Sequence, residues 1–139
     1  MGSLSAAASL QLRVELHGIL LGRPTDLLLD IEAWQVLGYV VHCGDDSVRF
    51  LPYAAAQTSD AGIAVGSALM LLEDVEFYEK RGTSFRALLG GRVGAAGVLR
   101  DLIIGVGGAV TELEVEYDGA MRRVPAIGQA VAAPRLSAA

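Results

Sequence analysis

The order of short apolar runs and turns in the first half of the chain recurs in the second half. DLLLDI, which starts at Asp26, matches DLIIGV, which starts at Asp101, with an offset of 75 residues. VRFLP, which ends at Pro52, matches RRVP, which ends at Pro125, with an offset of 73. We place the two-residue difference in the intervening hairpin loop, which is an Asp-Gly dipeptide at 118–119 in the second half. A repeat of this kind predicts a duplicated structural unit.

The apolar runs within each half are short, and some alternate with polar residues. LQLRVEL at 10–16 places every second residue on one face, as in a half-buried strand. The other runs are bounded by Gly, Pro or Asp and are too short for helices. Helix is expected only in short turns around 54–60 and 76–81. The predicted fold is all-β, with one or two small barrels built from a duplicated antiparallel meander.

The polar stretch between the copies and the two chain ends set the predicted domain bounds. EDVEFYEKRGTSF at 73–85 is the most polar stretch and is interpreted as a linker. Only IGQAVAAPRLSAA follows the last matched proline, so the second copy is expected to have a short or absent closing strand. The predicted organisation is a flexible tail at 1–9, a first copy at 10–74, a linker at 75–86, a second copy at 87–133 and a tail at 134–139.

Composition restricts the class of protein further. The 139 residues are 53% apolar, which is enough for a buried core. The longest stretches without a charged side chain, 33–44 and 61–72, are well below the roughly 18 to 20 residues that cross a bilayer, so no membrane insertion is expected. The first ten residues lack the features of a signal peptide, and Cys43 is the single cysteine. These features predict a cytoplasmic location.

A set of glycine, aspartate, turn and proline positions follows a known pattern. In the second copy it consists of LLGGRV at 88–93, Gly97 followed by VLRDLII, the strand TELEVEY, the Asp-Gly turn at 118–119, and RRVP. Residues 20–72 follow the same pattern less closely. The pattern resembles the PRC-barrel family, small β-barrels found in the photosynthetic reaction-centre H subunit and in a ribosome-maturation factor. The resemblance implies a non-enzymatic module that docks on a larger protein or ribonucleoprotein assembly.

Acidic residues on one predicted strand could suggest a metal site. Glu112, Glu114 and Glu116 share one strand face, but successive positions on a face are about 6.6–6.8 Å apart, too far for the three to hold one ion. A solvated face is expected instead. With a two-residue turn at 118–119, Glu114 is predicted to lie opposite Arg123. No metal and no cofactor are predicted.

Other residue types that support catalysis have structural explanations. Asp26 and Asp101 stand at equivalent places beside strands, where a carboxylate accepts backbone N–H groups. His42 and Cys43 are adjacent, and adjacent strand residues point to opposite sides, which disfavours activation of a nucleophile. The glycine-rich stretch at 90–97 precedes no helix pattern and is interpreted as turns. The protein is predicted not to be an enzyme.

The two copies differ in the polarity of one sheet face. With the offsets above, charged positions of the second copy correspond to apolar positions of the first, which are Leu37, Tyr39, Val41, Val48 and Phe50. A small barrel does not leave a contiguous apolar face in water, so these residues must be covered. The second barrel and the N-terminal strand are alternatives, but a second chain is favoured as the cover. The sequence therefore predicts a two-fold homodimer.

The sequence favours a stand-alone, bacterial-type adaptor that binds a protein partner. If the apolar face is used in assembly, the more basic second half remains, and an acidic partner is expected to contact Arg92, Arg122 or Arg123. The arginines are scattered along the chain, so nucleic acid is a less favoured partner. The alternative functions are a ribosome-assembly or RNA-processing accessory protein and a small-ligand-binding barrel.

Overall fold

Two curled β-sheets, each shaped like half of a barrel, make up most of the chain. The computed structural model describes residues 3–132 and residue 134. The helices are short, so the predicted all-β, barrel-like fold is confirmed. Across these described residues, no helix combines the length and the hydrophobicity that crossing a membrane requires.

The first sheet, called sheet I, comes mainly from the first half of the chain. Its strands are β2 (Val14–Leu16), β3 (Ile19–Asp30), β4 (Gln35–Cys43), β5 (Val48–Pro52), β6 (Ala56–Ser59), β7 (Gly62–Val65) and β8 (Thr83–Ser84). They are hydrogen-bonded in the order β5-β4-β3-β2-β7-β6, and β8 pairs with the end of β3. β2 and β7 are parallel, and the other neighbours are antiparallel.

The second sheet, called sheet II, comes mainly from the second half. Its strands are β1 (Leu4–Ser5), β9 (Arg92–Val93), β10 (Gly97–Ile104), β11 (Val110–Tyr117), β12 (Ala120–Pro125) and β13 (Val131–Ala132). The order is β12-β11-β10-β9-β13, and β1 pairs with β10. Asp118 and Gly119 both have positive φ, which gives the tight hairpin between β11 and β12 that the Asp-Gly dipeptide predicts.

Three short helices interrupt the strands: α1 (Ala6–Ser9), α2 (Val75–Arg81) and α3 (Phe85–Leu88). The Asp74 side chain accepts a hydrogen bond from the Phe77 amide at the start of α2, and Lys80 and Arg81 lie in its last turn, as the helix dipole favours. The helical turn expected around 76–81 is therefore confirmed. The turn expected around 54–60 is limited to Tyr53–Ala55, because the residues after it pair with β7 as β6.

The strand registers show that part of the predicted repeat alignment is wrong. Asp26 pairs with Val40, whereas its counterpart Asp101 pairs with Glu114. Val40, not Tyr39, is thus the equivalent of Glu114. The reason is that one residue fewer separates Ile104 from its partner Val110 than separates Leu29 from its partner Val36, so the two-residue difference is divided between two loops. A slip of one residue exchanges the two faces of a strand, so the outer face predicted for Tyr39 and Val41 is wrong, whereas Leu37, at the bulge of β4, does lie on the outer face.

The short segment that precedes each copy in the sequence pairs with the sheet of the other copy. β1 pairs with β10 of sheet II, and the Ala7 amide donates to Asp101 Oδ1 at 3.0 Å. In the matching arrangement, β8 pairs with β3 of sheet I, and the Arg86 amide donates to Asp26 Oδ1 at 3.1 Å. The two aspartates are acceptors of backbone N–H groups, as predicted from their position beside strands.

Residues 4–9, for which the sequence predicts a flexible tail, form β1 and α1 instead. The Ser5 side chain accepts a hydrogen bond from the Ala8 amide at the start of α1, and Ala6 and Ser9 are fully buried. The predicted strand at 10–16 begins only at Val14, because Leu10 ends α1 and the residues after it form a turn. Small alanines and an N-cap serine were the signals for this helix.

One hydrophobic core joins the two sheets. A single cluster of buried side chains contains residues of sheet I, such as Leu27 and Val41, and residues of sheet II, such as Leu99 and Leu113. Trp34 connects the sheets further, since its indole N–H donates to the Gln129 carbonyl at 3.2 Å. The two copies therefore form one intertwined body with a shared core.

Candidate protein-binding surface

The residues predicted to form an apolar interface lie in three different environments. Tyr39 and Val41 are fully buried in the shared core. Phe50 is buried on the opposite face of sheet I, and Leu37 is half-buried beside it. Val48 is 45% exposed. Most of this set is covered within one chain, so the observation that predicted a homodimer no longer requires a second copy.

Tyr39 is a core residue with a polar end. Its hydroxyl lies 2.9 Å from the Thr58 hydroxyl, and its ring centroid lies 5.9 Å from that of Tyr53. Burial raises the pKa of Tyr39 to about 12, and the hydrogen bond with Thr58 opposes this only in part. The phenol is therefore neutral throughout the physiological range and serves packing rather than chemistry.

The stability of the folded chain is expected to fall above about pH 10 because of Tyr39. Its pKa rises from 10.0 to about 12 on folding, so the unfolded chain loses this proton first. The folded state then binds more protons, and the free energy of unfolding decreases by about 1.4 kcal/mol per pH unit, or up to about 3 kcal/mol in total. Urea unfolding at about pH 9 and about pH 11.5 measures this effect. An equal loss in Tyr39→Phe would contradict it.

Helix α2 covers the outer face of sheet I. The Phe50 ring stacks on the Tyr78 ring with centroids 4.2 Å apart and planes 9° apart, and Val40 and Val75 join the same cluster. Gly38 permits this packing, because a Cβ there would lie 2.5 Å from the Phe50 ring. The apolar outer face of sheet I is thus covered by α2, which lies in the stretch that the sequence predicts as a linker.

The corresponding face of sheet II is charged, and no helix of the described residues covers it. We call it the outer charged face, and it consists of Arg100, Glu112, Glu114, Glu116, Met121 and Arg123. Arg100 Nε lies 2.9 Å from Glu116 Oε1, and Arg123 lies 3.4 Å from Glu114 and 3.9 Å from Glu112. Glu114 pairs with Arg123 across the strands, as predicted. These exposed ion pairs contribute little stability but keep the face soluble.

The two sheets also differ at one edge. In sheet I the outer edge of β5 is closed by Leu72, whose amide donates to the Phe50 carbonyl at 2.8 Å and whose carbonyl accepts from the Phe50 amide at 2.9 Å. Arg123 occupies the place of Phe50 in sheet II, because it pairs with Glu114 as Phe50 pairs with Val40. Among the described residues, no backbone group bonds to the outer edge of β12.

The three arginines predicted to bind a partner are not all together. Arg122 and Arg123 are neighbours on β12, while Arg92 is exposed on β9, which two strands separate from β12 in the sheet order. The Arg122 guanidinium donates to the Ala96 carbonyl at 2.8 Å and lies 4.5 Å from the centre of the Tyr117 ring. Only the two arginines of β12 therefore belong to the open edge.

Arg122 lacks the ion pairs of its counterpart. Arg49 holds the equivalent position in sheet I, where its Nη1 lies 3.4 Å from Glu73 and its Nη2 lies 4.0 Å from Asp45. Within the described part of the chain, no carboxylate lies within 4.0 Å of Arg122. Its guanidinium is the charge on this edge that is left without an acidic partner among those residues.

The residues considered for catalysis do not form a reactive group. His42 is exposed and lies 3.5 Å from Asp46, whereas the adjacent Cys43 is buried on the other side of β4. Within residues 3–132 and 134, no three His, Cys, Asp or Glu side chains converge as metal ligands would. A cleft of about 860 Å³ beside Tyr53 and Thr58 contains one carboxylate, Asp60, in its lining.

Comparison with models of known protein families gives no match, and comparison with curated proteins gives none either. The chain's own two copies provide an internal comparison. What sequence reasoning missed is the role of residues 71–81, which close one edge and cover one face of sheet I. The signal was the apolar spacing of Val75 and Tyr78 within a polar stretch.

Proposed function

We propose that the chain is a non-enzymatic, PRC-barrel-type adaptor that docks on an acidic surface of a partner protein through β12. One observation carries the proposal: the edge that Leu72 closes in sheet I has no strand partner among the described residues of sheet II. The two copies share strand order and register around this edge, so the difference is not a consequence of the fold itself. The proposed docking on a partner through β12 does not require the predicted homodimer.

The chemistry of the edge favours an acidic protein. Arginine combines a forked hydrogen-bond donor with a planar surface, and it is enriched among the residues that dominate binding energy. Arg122 is already stacked on Tyr117 and held by the Ala96 carbonyl, so little side-chain freedom remains to be lost on binding. In sheet I, Glu73 forms an ion pair with Arg49. A carboxylate of the partner at the equivalent place would form the same ion pair with Arg122.

Charge reversal at the edge is expected to remove the partner. The full chain carrying Arg122→Glu and Arg123→Glu should fold, because both side chains are exposed. After purification from the native host, this variant should lack the partner protein that co-purifies with the wild type. The matched control is Asp45→Lys with Asp46→Lys, which reverses two exposed charges on a sheet I loop. Loss of the partner in the control alone, or a retained component that nuclease removes, would contradict the proposal.

A further inference from the structure

The closed edge of sheet I shows how a short extended segment binds this fold. Leu72 lies antiparallel to Phe50 and exchanges two backbone hydrogen bonds with it. Its side chain packs on the outer face with Phe50, and the following residue, Glu73, reaches Arg49. One backbone pair and one charged contact thus define the register of the segment.

The edge of β12 presents the same backbone groups. Ala126 donates its amide to the Thr111 carbonyl of β11 at 3.1 Å, so its backbone groups point inward, toward β11. Backbone groups alternate in direction along an extended strand, so those of Arg123 and Pro125 point outward. A proline is tolerated at an edge where its missing N–H would face outward. The outward amide and carbonyl of Arg123 are therefore equivalent to the amide and carbonyl of Phe50 that bind Leu72 in sheet I.

The side chains at the two edges differ in charge. Arg123 replaces Phe50, so the incoming residue that faces it should be acidic rather than apolar. Arg122 replaces Arg49, so the next residue should be acidic, as Glu73 is in sheet I. We propose that β12 binds an extended segment of another protein by antiparallel strand addition, with consecutive acidic residues facing Arg123 and Arg122. The inference rests on the proposed function and gives it a binding mode and a partner sequence.

A second copy of the chain fits this edge poorly. Two β12 strands that pair around a two-fold axis at Arg123 would place like charges directly opposite each other. Arginine at an open edge opposes such self-association, as charged residues on natural edge strands do. The occupant is therefore a different, acidic chain.

The probe for this mode is a capped peptide with the sequence of residues 69–75 carrying Leu72→Glu. Calorimetry with the full chain at low salt should detect binding. Methylation of the peptide nitrogen at position 72 removes the donor to the Arg123 carbonyl, and we expect it to weaken binding about two- to tenfold, the effect of one lost hydrogen bond. Lysine at peptide positions 72 and 73 should abolish binding. NMR should show the Arg123 amide becoming protected from solvent exchange.

Variants of the protein separate strand addition from simple charge attraction. Arg122→Glu should lose the peptide, and Arg23→Glu, an exposed arginine on β3, should keep it. Binding that depends on Arg122 but tolerates N-methylation and leaves the Arg123 amide unprotected would overturn strand addition while leaving the acidic docking surface intact. No binding of the peptide, with loss of the cellular partner still seen in the charge-reversal variant, would also overturn strand addition alone.

Two further outcomes would identify another occupant. Sedimentation equilibrium that shows a dimer, with an Arg123 amide exposed only on dilution, would assign the edge to a second copy. An Arg123 amide that is protected in the isolated chain and exposed in a variant ending at Ala132 would assign the edge to the chain's own last residues. Either result would overturn the inference.

Discussion

Tyr39→Glu is expected to unfold the chain. Loss of the buried ring costs about 3–5 kcal/mol, as for other large aromatic side chains. The new carboxyl group would lie where Tyr39 has no exposed surface, and burying a polar group without full hydrogen bonding costs about 1–3 kcal/mol more. The sum is comparable to the whole stability of a small domain, which is about 5–15 kcal/mol. Loss of the near-ultraviolet circular-dichroism signal and of the cooperative thermal transition measures this effect.

Two matched variants make the result specific. Tyr39→Phe keeps the ring and removes only the hydrogen bond with Thr58, so it should unfold cooperatively with a loss of about 1 kcal/mol. Val48→Glu introduces the same carboxylate at a position that is 45% exposed, and it should be nearly neutral. A folded, soluble Tyr39→Glu monomer would contradict the core position of Tyr39 and support the predicted interface.

The features that the sequence predicts correctly are those set by local chemistry. A two-residue hairpin requires positive φ at both loop residues, which the Asp-Gly dipeptide at 118–119 adopts readily, and this turn fixes the pairing of Glu114 with Arg123. The carboxylates of Asp26 and Asp101 accept backbone N–H groups because both copies place them at the same bulge of a strand. These features depend on a few neighbouring residues, so a single sequence contains enough information.

The features that the sequence misses depend on loop length and on distant pairing. One residue fewer in the loop at 105–109 shifts the alignment of β11 with β4 by one position, so a constant offset assigns Tyr39 and Val41 to the wrong face, and no side chain signals this deletion. Asp101 accepts the Ala7 amide after β1, and Asp26 accepts the Arg86 amide after β8, so the two copies offer the same kind of acceptor to these segments. The local sequence pattern therefore cannot show which segment pairs with which sheet.

The candidate binding edge follows from the same comparison of copies. Sheet I is followed by residues 71–81, which close the β5 edge and cover the outer face. Phe50 and Val40 are apolar because they are covered, and their counterparts Arg123 and Glu114 are charged because they face solvent. The arginines alone predicted an acidic partner, but the edge geometry that gives them a common site appears only in the folded chain.

Removal of residues 1–10 is expected to destabilise sheet II, although sheet I follows it directly in the sequence. Leu10 and Ala6 are buried in the shared core, and the Ala7 amide bonds to Asp101. Burial of one leucine contributes about 1.5–3 kcal/mol and the hydrogen bond to a carboxylate about 1.5–3 kcal/mol, so we expect a loss of about 3–6 kcal/mol. Urea unfolding measures the total.

Hydrogen exchange measures where the loss occurs. Ser5 pairs with Ile103 and Leu4 with Ile104, so deletion of residues 1–10 should expose the amides of this end of β10 first, before those of β4 in sheet I. Asp26→Ala is the matched control, because it removes the acceptor of the Arg86 amide and should expose β3 and β8 first. If the deletion exposes β4 before β10, the N-terminal segment belongs to its own copy and the exchange is contradicted.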